Sequence, residues 1–475
     1  MRGAPNRVVV VVLGVGVLAA VALHVMAGLR YPVPWPDEAH FLAPARSFAN
    51  HLTLVTPEIN APAGIFWMPD GYAVMLGAAY GVLPDTVEVA RGSSLALTVG
   101  FAGAMYLVGV RLGGARVAVA CAVAVWLVSP RVVLMANIAR MEPLVLALVG
   151  GALLAATARR WLTALAVVSL TVLVHPGGLI LTLALAAAAV LSRADLRPKS
   201  RAELALVGLV ALAWTAEAVW LLAHSDLVRD HLAFQLARKG TRNQLPNGTE
   251  IAVGVAAVAG ICGSLVVSRR LGRQRAAVLC ALSALVGALT VIRVTGNEMW
   301  YGAIGYETPA LLLLLAALSF GPRMIRLPRP ASGLIALAPV VLVAGITLTG
   351  SAYDMAIRPG SPGDRDFLGV LEQRLRDFDA RQGGPVLVAL DRSSGISPFL
   401  LAHTWEHLSF VDPTPVTPLW ARPDYVLFSL GPPEPGRRRI EARLPQGPPT
   451  LRVAQPGSTA EVLLFPGDRV TLPVS

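Results

Sequence analysis

Eleven apolar runs, most of them close to the length of a membrane-crossing helix, dominate the first 350 residues of the chain. They fall at 8–29 and at about 92–110, 117–130, 142–158, 161–174, 177–192, 203–223, 251–268, 276–292, 308–321 and 331–350. A helix needs about 20 predominantly apolar residues to cross the hydrocarbon core. Soluble domains are about 45–50% apolar and about 25% charged. Here 55% of 475 residues are hydrophobic, 15% are charged and the mean hydropathy is +0.62. So much apolar surface has no place to hide in water, which excludes a soluble enzyme, a disordered protein and a secreted disulfide scaffold. The expected fold class is an α-helical polytopic membrane protein of about eleven transmembrane helices.

The charges between the runs give the orientation. Laid on alternate loops, seventeen cations share one side: Arg2 and Arg7, Arg111 and Arg116, Arg159 and Arg160, the cluster from Arg193 to Arg201, the cluster from Arg269 to Arg275, and Arg323, Arg326 and Arg329. Asp195 and Glu203 are the acids near them. The other side carries Asp37, Glu38, Glu58, Asp70, Asp85, Glu88, Asp226, Asp230, Glu298 and Glu307. The positive-inside rule puts the basic loops and the N-terminus in the cytoplasm. The net charge of +11 is thus a topology signal, and no nucleic-acid partner is expected. The first run is read as a retained helix in the plasma (inner) membrane, since Tyr31, Pro32, Pro34 and Trp35 follow it in place of a small-residue cleavage site.

Two outer segments are long, about 30–91 and 224–250. Gly64 to Leu83 is apolar but broken by Pro69, Asp70 and Gly71, and a span there would invert every later loop. An interfacial or re-entrant helix is expected instead, because irregular backbone at membrane depth must be buried in protein or line a cavity. Residues 1–350 read as the transmembrane domain, with loop 30–91 carrying an acidic motif. Residues 351–475 read as a small extracytoplasmic α/β domain, with a helix near Leu368–Phe378 and strands at Pro385–Leu390, Tyr425–Leu430 and Glu461–Phe465. Cys121, Cys262 and Cys280 lie in apolar runs, where cysteine behaves as a small hydrophobe.

Trp35-Pro36-Asp37-Glu38-Ala39-His40-Phe41 stands just beyond the outer end of the first run. One acid of such a pair suits a base within reach of a substrate hydroxyl; the same two acids also suit the first turn of a helix. Ala139-Arg140-Met141-Glu142-Pro143 places another acid at the outer start of an apolar helix, where Arg140 can pair with it and a simple cap is the alternative. His175-Pro176-Gly177-Gly178 breaks two apolar runs near the same face, as a turn residue or a ligand. Glu217 lies within an apolar helix, and His231, Arg238, Lys239 and Arg242 form a basic face after the seventh run.

In order, these features resemble the GT-C glycosyltransferases that use polyprenyl-phosphate sugars, especially the protein O-mannosyltransferases and aminoarabinose lipid A transferases. Asp37-Glu38 matches the acidic pair of that family's first outer loop. Trp67-Met68-Pro69-Asp70-Gly71-Tyr72 stands where relatives carry a Pro-Leu-Tyr-like segment. Val87-Glu88-Val89-Ala90-Arg91-Gly92-Ser93-Ser94 resembles the Arg-x-x-Ser start of their second helix. Ser129-Pro130 and Arg140-Met141-Glu142-Pro143 resemble the next outer loop, and His175-Pro176-Gly177-Gly178 sits where many members have Lys-Gly. The likeness covers about 30–250. Relatives often have arginine where this chain has His40, and a basic residue where it has Met68.

The resemblance implies transfer of a sugar from a polyprenyl-phosphate donor to a lipid, glycan or protein acceptor on the outer face, with inversion. It implies Asp37 as the base, Glu38 as support of its loop, and Glu142 as an orienting acid or a ligand of a divalent cation if one is used. His40, Arg46, Arg91 and Arg140 are the implied donor-phosphate residues, with Tyr72 and His175 as further pocket candidates. No metal set is read from the sequence. A transporter or lipid-carrier flippase is the competing class, and an inactive GT-C relative is a third. The absence of an internal repeat and the gathering of acids at one interface favour the transferase.

Overall fold

The computed structural model describes residues 38–54, 68–239, 248–266, 268–296, 303–324, 362–390, 405–411, 422–430, 447–454 and 461–470, with isolated positions between 11 and 25 and at 400 and 445. Asp37, Trp67, most of the first apolar run and the run at 331–350 lie outside the described residues.

The chain is mostly helical. Its first described helices are α1 (Glu38–His51), α2 (Gly71–Tyr80), α3 (Val87–Arg111), α4 (Arg116–Leu127), α5 (Pro130–Ala136) and α6 (Glu142–Thr157). Then come α7 (Trp161–Ser169), α8 (Gly178–Leu191), α9 (Arg201–Ala223), α10 (Ser225–Lys239) and α11 (Gly248–Val266). After a four-residue turn of helix, α12 (Arg273–Gly296) and α13 (Thr308–Met324) complete the helical part, and α14 (Pro362–Asp379) precedes the sheet. Local chemistry sets several starts. Thr86 Oγ1 accepts from Val89 N at 3.3 Å to cap α3, and Ser200 Oγ accepts from Glu203 N at 3.3 Å to cap α9. Pro130 and Pro143 occupy first-turn positions, where the missing N–H costs nothing.

Four described helices are long and apolar enough to cross a membrane: α3, α9, α11 and α12. The pair α4 and α5, bent by 66° at Val128 and Ser129, makes a fifth when taken as one broken span. The apolar stretches Glu142–Thr157, Trp161–Leu173, Gly178–Leu191 and Ala303–Ser319 are shorter, at 10–17 residues. The segment expected as interfacial or re-entrant is the ten-residue helix α2. Residues 225–239, read from sequence as part of a loop, form α10 instead.

Small residues let the helices close on one another, the usual device where lipid removes the hydrophobic drive between them. A Cβ at Gly150 of α6 would stand 3.0 Å from the Ala104 methyl and 3.1 Å from the Phe101 ring of α3. The centre of the bundle is α12, whose Leu282, Leu285, Val286 and Leu289 are fully buried. By contrast α9 exposes Leu209, Leu212, Val219 and Leu222, an apolar rim that suits a lipid-facing surface.

The C-terminal part holds a five-stranded sheet of β1 (Val386–Leu390), β2 (Leu408–Val411), β3 (Tyr425–Leu430), β4 (Leu451–Ala454) and β5 (Glu461–Pro466). Its order is β2-β1-β3-β5-β4, parallel through β2, β1 and β3 and antiparallel at β5 and β4. Leu371, Leu375 and Phe378 of α14 pack on Val388, Leu390, Leu427, Val462 and Leu464. The three strands and the helix expected from sequence are present, while β2 and β4, each of four residues, carry too little pattern to announce themselves. Met68 packs against both this core and the core of the helical bundle, so the sheet-bearing part sits at the end of the bundle where α2 begins.

Candidate functional site

The polar centre of that end is Glu38, in the first turn of α1 and fully buried. A desolvated carboxylate is tolerated only when paired and hydrogen-bonded, and Glu38 is both. Arg91 Nε donates to Oε1 at 2.9 Å and Nη2 donates to Oε2 at 2.8 Å, a bidentate fork. The backbone N–H of Ala139 adds a third bond to Oε1 at 2.8 Å. One carboxylate therefore ties α1, the first turns of α3 and the α5–α6 loop together. Asp37 precedes it by one residue and lies outside the described residues.

The neighbouring pair is Arg140 and Glu142. Arg140 Nε donates to both carboxylate oxygens at 3.1 Å, and Nη2 lies 2.9 Å from Oε1. The two side chains are 3% and 0% exposed. Ala139 N–H and Arg140 are consecutive, so the two acid–arginine pairs are joined through one stretch of backbone. Burial without full pairing would be severely destabilising, and the packing at Pro143 and the short α5 hold this loop inside.

Tyr72 of α2 is fully enclosed, edge-on to Phe41 at 5.3 Å, and its hydroxyl meets Ser94 Oγ at 3.4 Å, one turn along α3 from Arg91. Burial raises the Tyr72 hydroxyl well above its ordinary pKa. Asp70, just before α2, is pushed from 3.8 up to about 7 by burial, with the charge of Glu217 adding to it. His40 is half-buried in the first turn of α1. Arg46 stands two turns beyond Glu38, about 12 Å by helical rise, where its Nη2 donates to the Asp85 carbonyl at 3.3 Å and its guanidinium lies 3.8 Å from the Asp85 carboxylate. His175 folds into its own turn: its Nδ1 accepts from Gly177 N and its carbonyl accepts from Gly178 N, each at 2.8 Å. Glu38, Arg91, Arg140, Glu142 and Tyr72 are thus brought together, the turn that holds His175 packs at the start of α2 where Gly71 meets Leu173 and Val174, and Arg46 lies further along α1.

A second cluster at the same end was not predicted from the sequence. Just before α13, residues Ala303–Glu307 form a π-helical turn, a feature often found at functional positions. Tyr306 is flanked by two guanidiniums, Arg131 of α5 and Arg293 of α12, each 5.3 Å from its ring centroid. Its hydroxyl donates to Glu250 Oε1 at 2.8 Å, and Arg131 Nη1 bonds Glu307 Oε1 at 3.1 Å. Arg131 is 46% exposed, the most open of these cations. The only signal in the sequence was the place of Arg131 directly after Ser129-Pro130 and of Glu307 among the outer acids.

No protein-family profile matches the chain, and no curated protein sequence matches it. Solved structures do. The undecaprenyl-phosphate-bound ArnT of Cupriavidus metallidurans is similar at a TM-score of 0.56 and 14% identity, over 90% of this chain and 94% of that one. The apo form of the same ArnT gives 0.48 at 15% identity, over 89% and 93%. The oligosaccharyltransferase of Archaeoglobus fulgidus gives 0.44 at 12% identity, over 88% and 68%. The chain has the fold of that ArnT. In that frame the Glu38 cluster lies at the N-terminal ends of α1, α3 and α6, where the loops carrying the motifs meet. Among the described residues no three His, Cys, Asp or Glu side chains come together as a metal set, and Glu38 and Glu142 are each already held by an arginine. The described residues therefore do not fit a divalent cation.

Proposed function

We propose that the protein is an integral membrane glycosyltransferase that moves a sugar from a polyprenyl-phosphate carrier to an envelope acceptor on the extracytoplasmic face. The observation that carries this reading is the three-bond anchorage of Glu38, which pins the residue next to Asp37 at the meeting point of three motif-bearing segments. A base needs such a fixed neighbour, because proton abstraction depends on placement within hydrogen-bond reach. The ArnT-like fold supports the choice of donor, since the solved relative holds undecaprenyl phosphate.

In the reaction, Asp37 takes the proton of an acceptor hydroxyl as its oxygen attacks the anomeric carbon. The bond from that carbon to the phosphate oxygen breaks, the electron pair leaves with the lipid phosphate, and the configuration inverts. Arg91 and Arg140 act mainly through Glu38 and Glu142, holding the loops. Arg131 and Arg293, with His40 and Arg46 along α1, are the cations offered to the departing phosphate. Tyr72 and His175 shape the wall. The topology that goes with this reading has eleven spans, a cytoplasmic N-terminus and a division near residue 350, with the sheet-bearing part of 351–475 as an outer domain. Basic loops gathered at one end of the helices and acids at the other support it. The membrane is the plasma membrane.

The experiment is transfer by purified protein in lipid, offered labelled polyprenyl-phosphate mannose or arabinose. Release of free polyprenyl phosphate by the wild type, lost in a folded Asp37→Asn variant, is the expected result. Undiminished release by that variant moves the base to another residue, and release by neither protein with either donor overturns the reading.

A further inference from the structure

At the opposite end of the bundle, about 30 Å along α3 from Arg91, a cavity of about 860 Å³ opens among the helix ends. Six arginines line it: Arg111, Arg159, Arg193, Arg197, Arg273 and Arg275. They come from four separate connections. The one acid in its wall, Asp195, is already paired with Lys199. Among the described residues none of the six guanidiniums forms an ion pair with a carboxylate; Arg111 bonds Thr157 Oγ1 and the Leu154 carbonyl, Arg273 bonds the Arg193 carbonyl, and Arg197 donates its backbone N–H to Asp195 Oδ1 at 3.1 Å.

Topology alone asks for cations on this side, but it does not ask them to converge on one concavity or to hold strained backbone. Three helices end here with the same pair of terminal hydrogen bonds. Gly113 N bonds Val110 O and Gly114 N bonds Gly109 O after α3; Arg159 N bonds Ala156 O and Arg160 N bonds Ala155 O after α6; Arg193 N bonds Val190 O and Ala194 N bonds Ala189 O after α8. This ending requires a left-handed residue and favours glycine. Gly113 fills it at φ 93°, whereas Arg159 and Arg193 adopt φ 64° and 50°. Both strained arginines line the cavity, so the fold accepts backbone cost where it gains a cation there.

The other wall is apolar. Leu112, Trp161, Leu271 and Val278 line it, and beside its Ser192 the end of α8 carries Val190 and Leu191, 70% and 55% exposed. Cations beside an apolar wall open to the lipid side match a phosphate headgroup with its acyl chains rather than a free anion. Basic pockets between transmembrane helices on the cytoplasmic side are suited to phosphate-bearing lipids.

We propose that this cavity binds the headgroup of an anionic phospholipid of the inner leaflet, one bearing two phosphates being the best match for six arginines spread over four connections. The inner-leaflet placement rests on the orientation given above, while the cavity itself stands apart from the transfer site.

The test uses the full chain in phosphatidylcholine vesicles, with and without cardiolipin, reading thermal unfolding and the lipid retained on native mass spectrometry. The comparison variant is Arg159→Gly with Arg193→Gly, which removes two charges and relaxes both helix ends, so loss of folding does not mimic loss of binding. Cardiolipin is expected to raise the unfolding temperature of the wild type, and the double variant is expected to bind it roughly thirtyfold more weakly. Equal stabilisation of both proteins would mean a general bilayer effect and overturn the site. Equal stabilisation of the wild type by inorganic pyrophosphate in plain phosphatidylcholine would assign the cavity to a soluble anion and overturn the lipid reading.

Discussion

Arg91 and Glu38 meet through two near-parallel hydrogen bonds of 2.9 and 2.8 Å although 53 residues separate them. Because Glu38 is fully buried, its partner does more than add one favourable contact. Removing the arginine strands a desolvated charge. Arg91→Ala is expected to lower stability by about 3–5 kcal/mol, and Arg91→Lys to recover only part of it, since an ammonium cannot reproduce the fork. A double-mutant cycle with Glu38→Gln, read by thermal unfolding in detergent, measures the coupling; an additive cycle would show that the pair contributes nothing.

Arg140 and Glu142 form a more enclosed unit, two residues apart and almost fully buried. Glu142→Gln keeps the shape and removes the charge, leaving Arg140 buried against a neutral amide. Loss of about 3–5 kcal/mol is again expected. An apolar double replacement, Arg140→Leu with Glu142→Leu, is expected to restore most of the stability without restoring transfer. Parallel measurements of unfolding temperature and donor turnover separate those two effects.

Asp70 makes the Glu38 end of the bundle sensitive to pH. Folding raises its pKa from 3.8 to about 7, so the fold favours the protonated acid. Its contribution is whole below pH 3.8, declines as pH rises and is gone once pH has passed through about 7. Wild type should therefore lose stability relative to Asp70→Asn between acid and neutral conditions. The difference between their unfolding temperatures at several pH values checks this, and a constant difference would contradict it.

In the sheet-bearing part, the Asp379 carboxylate accepts from Glu406 N, His407 N and Leu408 N at 2.7, 2.8 and 2.9 Å. It joins the end of α14 to the start of β2 where the sequence shows little strand pattern. Asp379→Ala would orphan three N–H groups and is expected to cost at least about 3 kcal/mol. Limited proteolysis at 405–411 is expected to become faster, with Asp379→Asn intermediate.

The legible features were those that depend on local pattern. The apolar runs at about 92–110 and 276–292 each lie between arginines, and both are helical, the helices Val87–Arg111 and Arg273–Gly296 reaching past the runs at both ends. Glu461–Pro466 and Tyr425–Leu430 show strand composition over enough residues to be read. Residues 225–239 were not legible as α10, because their polar composition carries almost no apolar periodicity. Tyr306 between Arg131 and Arg293 was invisible for another reason: its partners come from two other helices.

By itself, then, the order of apolar and cationic segments determined that this chain is a membrane-spanning helical protein with acids at one end and arginines at the other. Partition between lipid and water is a property of each segment, summed residue by residue, and needs no knowledge of neighbours. Only the tertiary structure decided that Arg91 is the partner of Glu38, and that six arginines from four connections line one cavity. A desolvated charge must find its counterpart wherever helix ends converge, and sequence distance places no limit on that choice.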